Sequence, residues 1–304
     1  MLPLLGSGDR QTARPEIEQL LVASRTADAL EQDGFLKMTE RNFAAARQDA
    51  EEILAQTPEN LRAIRLLVDS YGGANQRAAG IQRLREIAAQ HPKSAQLQYA
   101  FGQILLASGD RENARRAFEA ASAADPKFAA AQLGLGQIDF LENRLDAARS
   151  RVATVLAVQP RDVMALSAAG DIELRAKDYV AALQKYQAVI GMDPSNVPAL
   201  VASASLLVLG KNLDEARTMA EHAVELAPGN PRTQETLGWV RYATGDYGDA
   251  AEHLKQALQL GPTPSRQYHL ALAYLKGGQD SLGNAALAAA LRKEPDLPQK
   301  SQGW

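Results

Sequence analysis

The chain of 304 residues has no cysteine, only 5% aromatic residues and no excess of basic residues. Without cysteine it has no disulfide framework, thiol nucleophile or thiolate metal site. Its formal net charge of -3 shows no excess of Lys and Arg that could contact the phosphate backbone of a nucleic acid. We therefore expect no nucleic-acid partner. Its uncharged runs are far shorter than the roughly 20 apolar residues of a membrane span, so we expect no transmembrane segment.

Patterns that carry catalysis or hold cofactors are missing as well. Histidine occurs four times, without the His-Glu-x-x-His spacing that places two imidazoles on one helical face for a metal. Two glycine pairs, Gly72 with Gly73 and Gly134 with Gly136, do not continue into the Gly-Lys-Ser or Gly-Lys-Thr of a phosphate loop. No nucleophile or acid-base pair stands out. We therefore expect a protein that is not an enzyme and that uses no metal and no cofactor.

The chain is rich in alanine and carries a regular series of prolines. Alanine accounts for 56 residues. Seven prolines follow one another at intervals of 34 residues, and an eighth follows after 33. They are Pro58, Pro92, Pro126, Pro160, Pro194, Pro228, Pro262 and Pro295. A fixed period of this length indicates an array of structural repeats.

Small residues keep the same register as the prolines. Ten residues after a proline stand Gly102, Gly136, Gly170, Gly238 and Ala204. Twelve residues before a proline stand Ala46, Ala114, Ala148, Ala182, Ala216 and Ala250. We interpret these two columns as the points where helices cross, because a side chain no larger than a methyl group lets two backbones approach closely.

The apolar spacing between the prolines is helical. In residues 245–262 the apolar side chains fall on one stripe of a helix that Pro262 ends, since proline has no N–H to donate. A second helix precedes it and is closed by Gly245. Each unit is therefore predicted to be a pair of antiparallel helices. One pair alone buries too little surface to offset the entropy of ordering its residues, so stacked units must supply the burial.

The frame of small residue, Gly-Asp-Tyr, Ala and Pro resembles the tetratricopeptide repeat, most clearly in TLGWVRYATGDYGDAAEHLKQALQLGP and in LGLGQIDFLENRLDAARSRVATVLAVQP. The resemblance implies an all-α fold, a right-handed α-solenoid of helix-turn-helix repeats. By this resemblance the chain contains eight repeats, which begin near Ala27, Leu61, Ala95, Ala129, Val163, Val197, Pro231 and Ser265. The first two repeats are degenerate: Asp33 and Lys37 replace apolar residues in the first, and Val68 and Gly80 occupy the small columns of the second.

The same resemblance implies that the first helix of each repeat lines a concave groove. The exposed positions of these first helices are polar in the N-terminal repeats and become aromatic and aliphatic in the C-terminal repeats. We expect a protein or peptide segment with apolar anchors to bind there. The predicted binding residues are Tyr99, Phe140, Leu174, Val201, Val208, Trp239, Tyr242, Tyr268 and Leu272.

The ends of the chain lead to further expectations. Residues 1–14 are predicted to be disordered or left from cloning, 15–26 to form a leading helix, 27–297 to form the array and 298–304 to form a tail. The last helix presents Leu287, Ala290 and Leu291 with no helix after it to cover them, so we expect that two copies of the chain can associate through the last repeat. The compartment stays open: cytoplasmic as written, periplasmic or envelope if a signal peptide was removed.

The leading functional hypothesis is a non-catalytic adaptor that holds an apolar peptide or helix in its groove. The composition resembles bacterial members of the family that serve envelope assembly, secretion, pili or exopolysaccharide export. The alternative is a structural or self-associating spacer with no specific groove ligand. An enzyme or metal protein is the third class, and bound metal in the purified protein would reveal it.

Overall fold

A computed structural model describes residues 10–300 of the chain, with side chains described for residues 14–298. This part of the chain is built of helices and contains no strand. The helices are α1 (Arg10–Ala23), α2 (Ala27–Thr39), α3 (Phe43–Gln56), α4 (Leu61–Gly73), α5 (Arg77–Gln90), α6 (Ala95–Ala107), α7 (Arg111–Ala124), α8 (Ala129–Leu141), α9 (Leu145–Val158), α10 (Val163–Arg175), α11 (Tyr179–Met192), α12 (Val197–Leu209), α13 (Leu213–Leu226), α14 (Pro231–Thr244), α15 (Tyr247–Leu260), α16 (Pro264–Lys276), α17 (Asp280–Lys293) and α18 (Leu297–Lys300).

Helices α2 to α17 form eight tandem helix-turn-helix repeats. The first helix of a repeat begins 34 residues after the last one, and only α16 begins one residue early, at Pro264 instead of Ser265. Many of these helices start after a side chain that accepts a hydrogen bond from a free backbone N–H, which stabilises the helix end. Asn60, Ser94 and Asp162 do so for α4, α6 and α10. The all-α fold of tandem helical hairpins is thus present as predicted.

The turn inside each repeat uses a left-handed backbone conformation at one recurring position. Eight residues at intervals of 34, and once 33, have φ between 58° and 87°, and five of them are not glycine. They are Arg41, Asn75, Gly109, Asn143, Lys177, Lys211, Gly245 and Gly278. A left-handed residue ends a helix and lets the following helix turn back. Sequence reasoning recognised this position only where it is glycine, as at Gly245.

The small columns lie at the helix crossings, as predicted. Every alanine of the column twelve residues before the prolines has no exposed surface. Gly102 and Gly238 show how close the helices come: a Cβ atom would lie 2.5 Å from the Phe118 ring in the first case and 2.7 Å from Leu254 Cγ in the second. Small residues on one helix therefore let the second helix of the same repeat pack against its backbone.

The repeats group into two compact units. The first comprises residues 1–151 and the second residues 152–304, so the boundary falls within α9. The first unit has a continuous core in which Phe118 is fully buried. The second unit has several smaller clusters, one around Tyr186 and another around Leu254. The sequence had indicated one array over residues 27–297, because its period is the same on both sides of α9.

Both ends of the described chain differ from expectation. Residues 10–14, predicted to be disordered or left from cloning, belong to α1, which runs through Pro15. Residues 298–300, predicted as part of a tail, belong to the short helix α18, whose Leu297 is 3% exposed and which packs against α16. Ala290, expected on the outer face of α17, is fully buried. The N-terminal residues 1–9 and the C-terminal residues 301–304 lie outside the described part of the chain.

Charged residues that replace apolar ones in the repeat frame are paired. In the first repeat the Lys37 ammonium lies 2.6 Å from an Asp33 oxygen and 2.7 Å from an Asp49 oxygen. Asp139 on α8 is 2% exposed and accepts hydrogen bonds from Arg115, Arg144 and Arg151 at 2.7–3.0 Å. Burial alone would raise the pKa of Asp139, but the three guanidinium groups outweigh it and lower that pKa. Lys37 and Asp49 join α2 to α3, and Asp139 joins α8 to α7 through Arg115 and to α9 through Arg151, which is a structural role.

The crossing geometry predicts that Ala250→Leu destabilises the protein. Ala250 is fully buried where α15 meets α14, so three extra carbon atoms must displace close-packed neighbours. We expect the free energy of unfolding to fall by about 1 to 3 kcal/mol, measured by urea denaturation. The matched variant Ala285→Leu, at an exposed position of α17, should stay within about 0.5 kcal/mol of wild type. Equal effects of the two variants would contradict the assigned register.

The left-handed turns predict opposite effects for the same substitution at two glycines. Gly245→Ala places a Cβ atom on a residue with φ 87° and should lower the free energy of unfolding by about 1 to 2 kcal/mol. Gly191→Ala, inside α11 with open space around its Cα, should raise it by about 0.5 kcal/mol through better helix propensity. Thermal and urea unfolding measure both. A gain in stability from Gly245→Ala would disprove the turn assignment.

Candidate functional site

Two of the predicted binding residues lie in the first unit. Tyr99 on α6 and Phe140 on α8 are both half-buried. The Tyr99 ring packs against Phe118 at 5.5 Å and against Phe128 at 5.6 Å between centroids, and its hydroxyl accepts a hydrogen bond of 2.8 Å from Gln103. Tyr99 is thus held in place, with part of its surface open to solvent.

Three predicted residues lie in the N-terminal half of the second unit, and one of them is buried. Leu174 is 38% exposed at the end of α10, and Val208 is half-buried on α12. Val201 is only 5% exposed and packs in a cluster with Leu200 and Ala223. The prediction that Val201 contacts a partner is therefore wrong. Because α12 is apolar at nearly every position, its sequence did not show which face is buried.

The remaining predicted residues form one surface on α14 and α16. Trp239 and Tyr242 stack with ring centroids 4.8 Å apart and planes within 8° of parallel. Trp239 also contacts His269 at 4.9 Å, His269 lies 6.3 Å from Tyr268, and Tyr242 meets Tyr247 edge-on at 5.5 Å. We call these five side chains the aromatic cluster. Offset and edge-on pairs at such distances stabilise one another beyond the area that they bury.

Helix geometry explains why the aromatic cluster reaches the surface. Gly238 lies against α15, so the adjacent Trp239 occupies a different face of α14. Tyr242 follows Trp239 by three residues and therefore lies on the same face. Trp239, Tyr242, Tyr247 and Tyr268 are half-buried, whereas His269 is 4% exposed and lies beneath them. Leu272, one turn after Tyr268 on α16, is half-buried and extends the apolar surface.

A charged layer fixes α16 against α14 at the aromatic cluster. Arg266 donates from Nε to Glu235 at 2.9 Å and from Nη1 to the Gly261 carbonyl at 2.6 Å. Nδ1 of His269 lies 3.0 Å from the second oxygen of Glu235. Burial raises the pKa of Glu235, but its contacts with His269 and Arg266 outweigh burial and lower that pKa overall. The carboxylate is therefore already neutralised within the protein.

The Tyr242 hydroxyl of the aromatic cluster is affected by burial and by two neighbouring tyrosines. Burial raises the pKa of Tyr242, and the nearby Tyr247 and Tyr268 raise it further. Tyr242 therefore stays protonated at neutral pH, and its hydroxyl can donate or accept a hydrogen bond. The surface thus combines apolar ring faces with neutral polar groups.

Sequence reasoning missed two members of the aromatic cluster. Tyr247 is the first residue of α15, and His269 follows the predicted Tyr268 directly. Both belong to positions that normally pack between helices, so the repeat frame did not mark them as exposed. The Gly-Asp-Tyr turn was visible in the sequence and is the one signal that could have placed Tyr247 beside α14.

Sequence reasoning also missed an apolar pocket in the first unit. A cavity of about 440 Å³ lies among α4, α5 and α6, where the predicted groove was expected to be polar. Tyr99 and Gln103 line it from α6, and Arg65 and Asp69 from α4. The expectation was drawn from exposed polar side chains, and it did not include the branched aliphatic residues that lie behind them.

Other features of the described residues concern metal binding, membrane crossing and a buried tyrosine. There, no group of three or more His, Asp or Glu side chains lies close enough to hold a metal ion. None of the helices described is both long enough and apolar enough to cross a membrane. Tyr186, which is buried, donates a hydrogen bond of 2.6 Å to Asp171, and burial together with this carboxylate raises the pKa of its hydroxyl. That pair braces α11 against α10.

Sequence comparison identifies the repeats. Two family models, each described as a tetratricopeptide repeat, match the chain: one at residues 105–171 and 173–239, the other at residues 235–298. A search of curated proteins found no match. The matched segments cover well over half of the chain, including α14 and α16 with the aromatic cluster.

Solved structures of other proteins share the fold. The Cut9–Hcn1 hetero-tetramer of the APC/C is similar over 93% of this chain with a TM-score of 0.67 and 19% identity, and yeast Tom70 over 96% with a TM-score of 0.65 and 18% identity. The chain spans only 56% and 62% of those two proteins. Pseudomonas aeruginosa pilF is similar over 70% of this chain and 98% of its own, with a TM-score of 0.60 and 16% identity. At such identities the likeness establishes the α-solenoid fold.

The charged layer predicts a pH-dependent effect of Glu235→Gln. At pH 7 we expect the free energy of unfolding to fall by about 1 to 3 kcal/mol, because Arg266 and His269 lose their charged acceptor. The pKa of Glu235 is lowered on folding, so its contribution is present above the ordinary value of 4.5 and is lost as the pH falls through the folded value.

Urea unfolding at pH 7 and at acid pH checks this expectation. The difference between wild type and Glu235→Gln should be large at pH 7 and should shrink in acid. Glu225→Gln, at an exposed position of α13, serves as the control and should have little effect at either pH. A difference that grows in acid would contradict the lowered pKa.

Proposed function

Since the chain belongs to the tetratricopeptide repeat family, we propose that it is a non-catalytic scaffold that binds a segment of another protein against the aromatic cluster of its second unit. Tetratricopeptide repeats support a role in protein-protein interaction. The observation that carries the proposal is the partly exposed stack of Trp239 and Tyr242, together with Tyr268 and Leu272, on neighbouring first helices of two repeats.

The side chains of this surface suit an interface. Trp and Tyr most often dominate the binding energy of protein interfaces, because they bury much apolar area and keep a polar group for hydrogen bonds. The rings of Trp239, Tyr242 and Tyr247 are already held by contacts with one another. Binding therefore immobilises few additional side chains, which lowers its entropic cost.

The charge of the surface favours apolar anchors on the partner. Glu235 is the acidic group below the rings, and it is already compensated by Arg266. A partner with a buried cation would gain little from it, whereas apolar side chains gain from covering the rings. An amphipathic helix with anchors three or four residues apart, or an extended segment with alternating anchors, has the required pattern.

The biological setting is proposed from a resemblance. The Asp-, Arg- and Ala-rich repeats resemble bacterial members of the family that serve envelope assembly, secretion or exopolysaccharide export, and we propose such a role for this chain. The alternative function is a structural or self-associating spacer. Leu282, which is 53% exposed on α17 of the last repeat, favours that alternative, because it offers an apolar contact at the end of the array.

A peptide display library panned against the purified protein tests the proposed function. Selected peptides should share two or more apolar anchors at helical or alternating spacing. The double variant Trp239→Ala/Tyr242→Ala should weaken their binding by about 30-fold or more, because loss of an interface hot spot costs at least about 2 kcal/mol. Its helical content should remain that of wild type by circular dichroism.

A second double variant provides the matched control. Tyr179→Ala/Val180→Ala removes exposed side chains of similar chemistry from α11 in the same unit. Binding of the selected peptides should not change in this variant. If the Trp239 and Tyr242 variant binds as well as wild type, or if no peptide is enriched, the proposed site is wrong and the spacer function is favoured.

A further inference from the structure

The pocket in the first unit is a second candidate site, separate from the aromatic cluster. Its volume of about 440 Å³ lies within the range of roughly 300 to 1,000 Å³ that is typical of small-ligand sites. Its walls are mainly aliphatic and come from all three surrounding helices: Ile64 and Val68 from α4, Ile81 from α5, Ala100 and Ile104 from α6. An apolar body of a ligand would therefore be surrounded on several sides.

The pocket lies where the second repeat departs from the crossing pattern. Val68 occupies the column that holds glycine in four other repeats, and it lines the pocket. Gly80 occupies the column that holds alanine elsewhere, and it lies against Tyr71, where a Cβ atom would come within 2.7 Å of the ring-bearing Cβ. The contact between α4 and α5 is therefore close at Gly80, whereas beside Val68 and Ile81 the cavity remains open.

The mouth of the pocket carries a net positive charge. Arg65 lies 3.4 Å from Asp69, and these two exposed side chains offset each other. Arg77, the first residue of α5, also lines the pocket and is exposed, with no ion pair or side-chain hydrogen bond to the residues that the structure describes. Gln103 adds a polar amide beside the Tyr99 hydroxyl. One uncompensated cation thus stands at the edge of an apolar cavity.

We infer that this pocket binds a small amphiphilic monoanion, a medium-length aliphatic chain that carries one carboxylate. The aliphatic walls accept the chain, and the Arg77 guanidinium receives the carboxylate at the mouth. Arginine suits this task because its planar donors match the geometry of a carboxylate. The inference does not depend on the proposed function, since the pocket and the aromatic cluster share no residue.

Isothermal titration calorimetry of the full chain with decanoate tests the inference, at concentrations below micelle formation. We expect one site per chain. Decylammonium, which has the same aliphatic chain and the opposite charge, should bind about tenfold more weakly or worse, because it loses a charge-assisted hydrogen bond and meets Arg77. Absence of decanoate binding up to millimolar concentration, or equal binding of the two probes, would overturn the inference.

Three variants locate the site. Arg77→Gln should weaken decanoate about tenfold, whereas Arg111→Gln, at the matching first position of α7 outside the pocket, should leave it unchanged. Ala107→Trp adds a bulky ring at an exposed position on the pocket wall and should abolish binding. Circular dichroism confirms that each variant folds. Decanoate binding that survives both Arg77→Gln and Ala107→Trp would overturn the assignment.

The double variant Trp239→Ala/Tyr242→Ala separates this inference from the proposed function. It should bind decanoate as wild type does, because its changes lie in the other unit. Loss of decanoate binding in this variant would place the ligand on the aromatic cluster and contradict the pocket. Loss of peptide binding with decanoate binding intact would support both assignments.

Discussion

The close crossing of two helices through glycine and alanine is the contact on which the rest of the structure depends. Because the crossing residues have little or no side chain, the second helix of a repeat rests almost on the backbone of the first. Ala114, Ala182 and Ala250 are each fully buried at this contact. A core built this way needs few large side chains, which explains how a chain with so few aromatic residues folds.

Charged groups form some of the helix contacts where this close packing is incomplete. Asp139, Glu235 and Lys37 stand at helix contacts, and each is surrounded by groups of opposite charge. A buried charge without such partners would be costly to desolvate, so these networks hold their helices in one arrangement. In the second unit the network lies directly beneath the aromatic cluster. The pair of Glu235 on α14 and Arg266 on α16 links the two helices that carry Trp239, Tyr268 and Leu272.

Much of the fold could be predicted from periodicity, because the same requirement for close helix crossing recurs in successive repeats. The starts of the first helices and the burial of the small columns follow from the spacing of proline, glycine and alanine. The left-handed turn was harder to see, since arginine, asparagine or lysine stands there in five repeats. Features that depend on one repeat alone were either not predicted or predicted wrongly. Val201 was assigned to the wrong face because α12 is apolar at nearly every position, His269 lies under a neighbouring ring, and the pocket beside Val68 follows from a departure from the pattern.

The central claim is that the aromatic cluster on α14 and α16 is the surface that meets a partner protein. The most direct test places a photoreactive benzoylphenylalanine at Tyr242 and, in a second protein, at the exposed Ala285 of α17, followed by irradiation in extract of the native cells and mass spectrometry. The account predicts an adduct from position 242 that maps to one partner segment with apolar anchors and that is absent from position 285. The same adducts from both positions, or a specific adduct from position 285 alone, would contradict it.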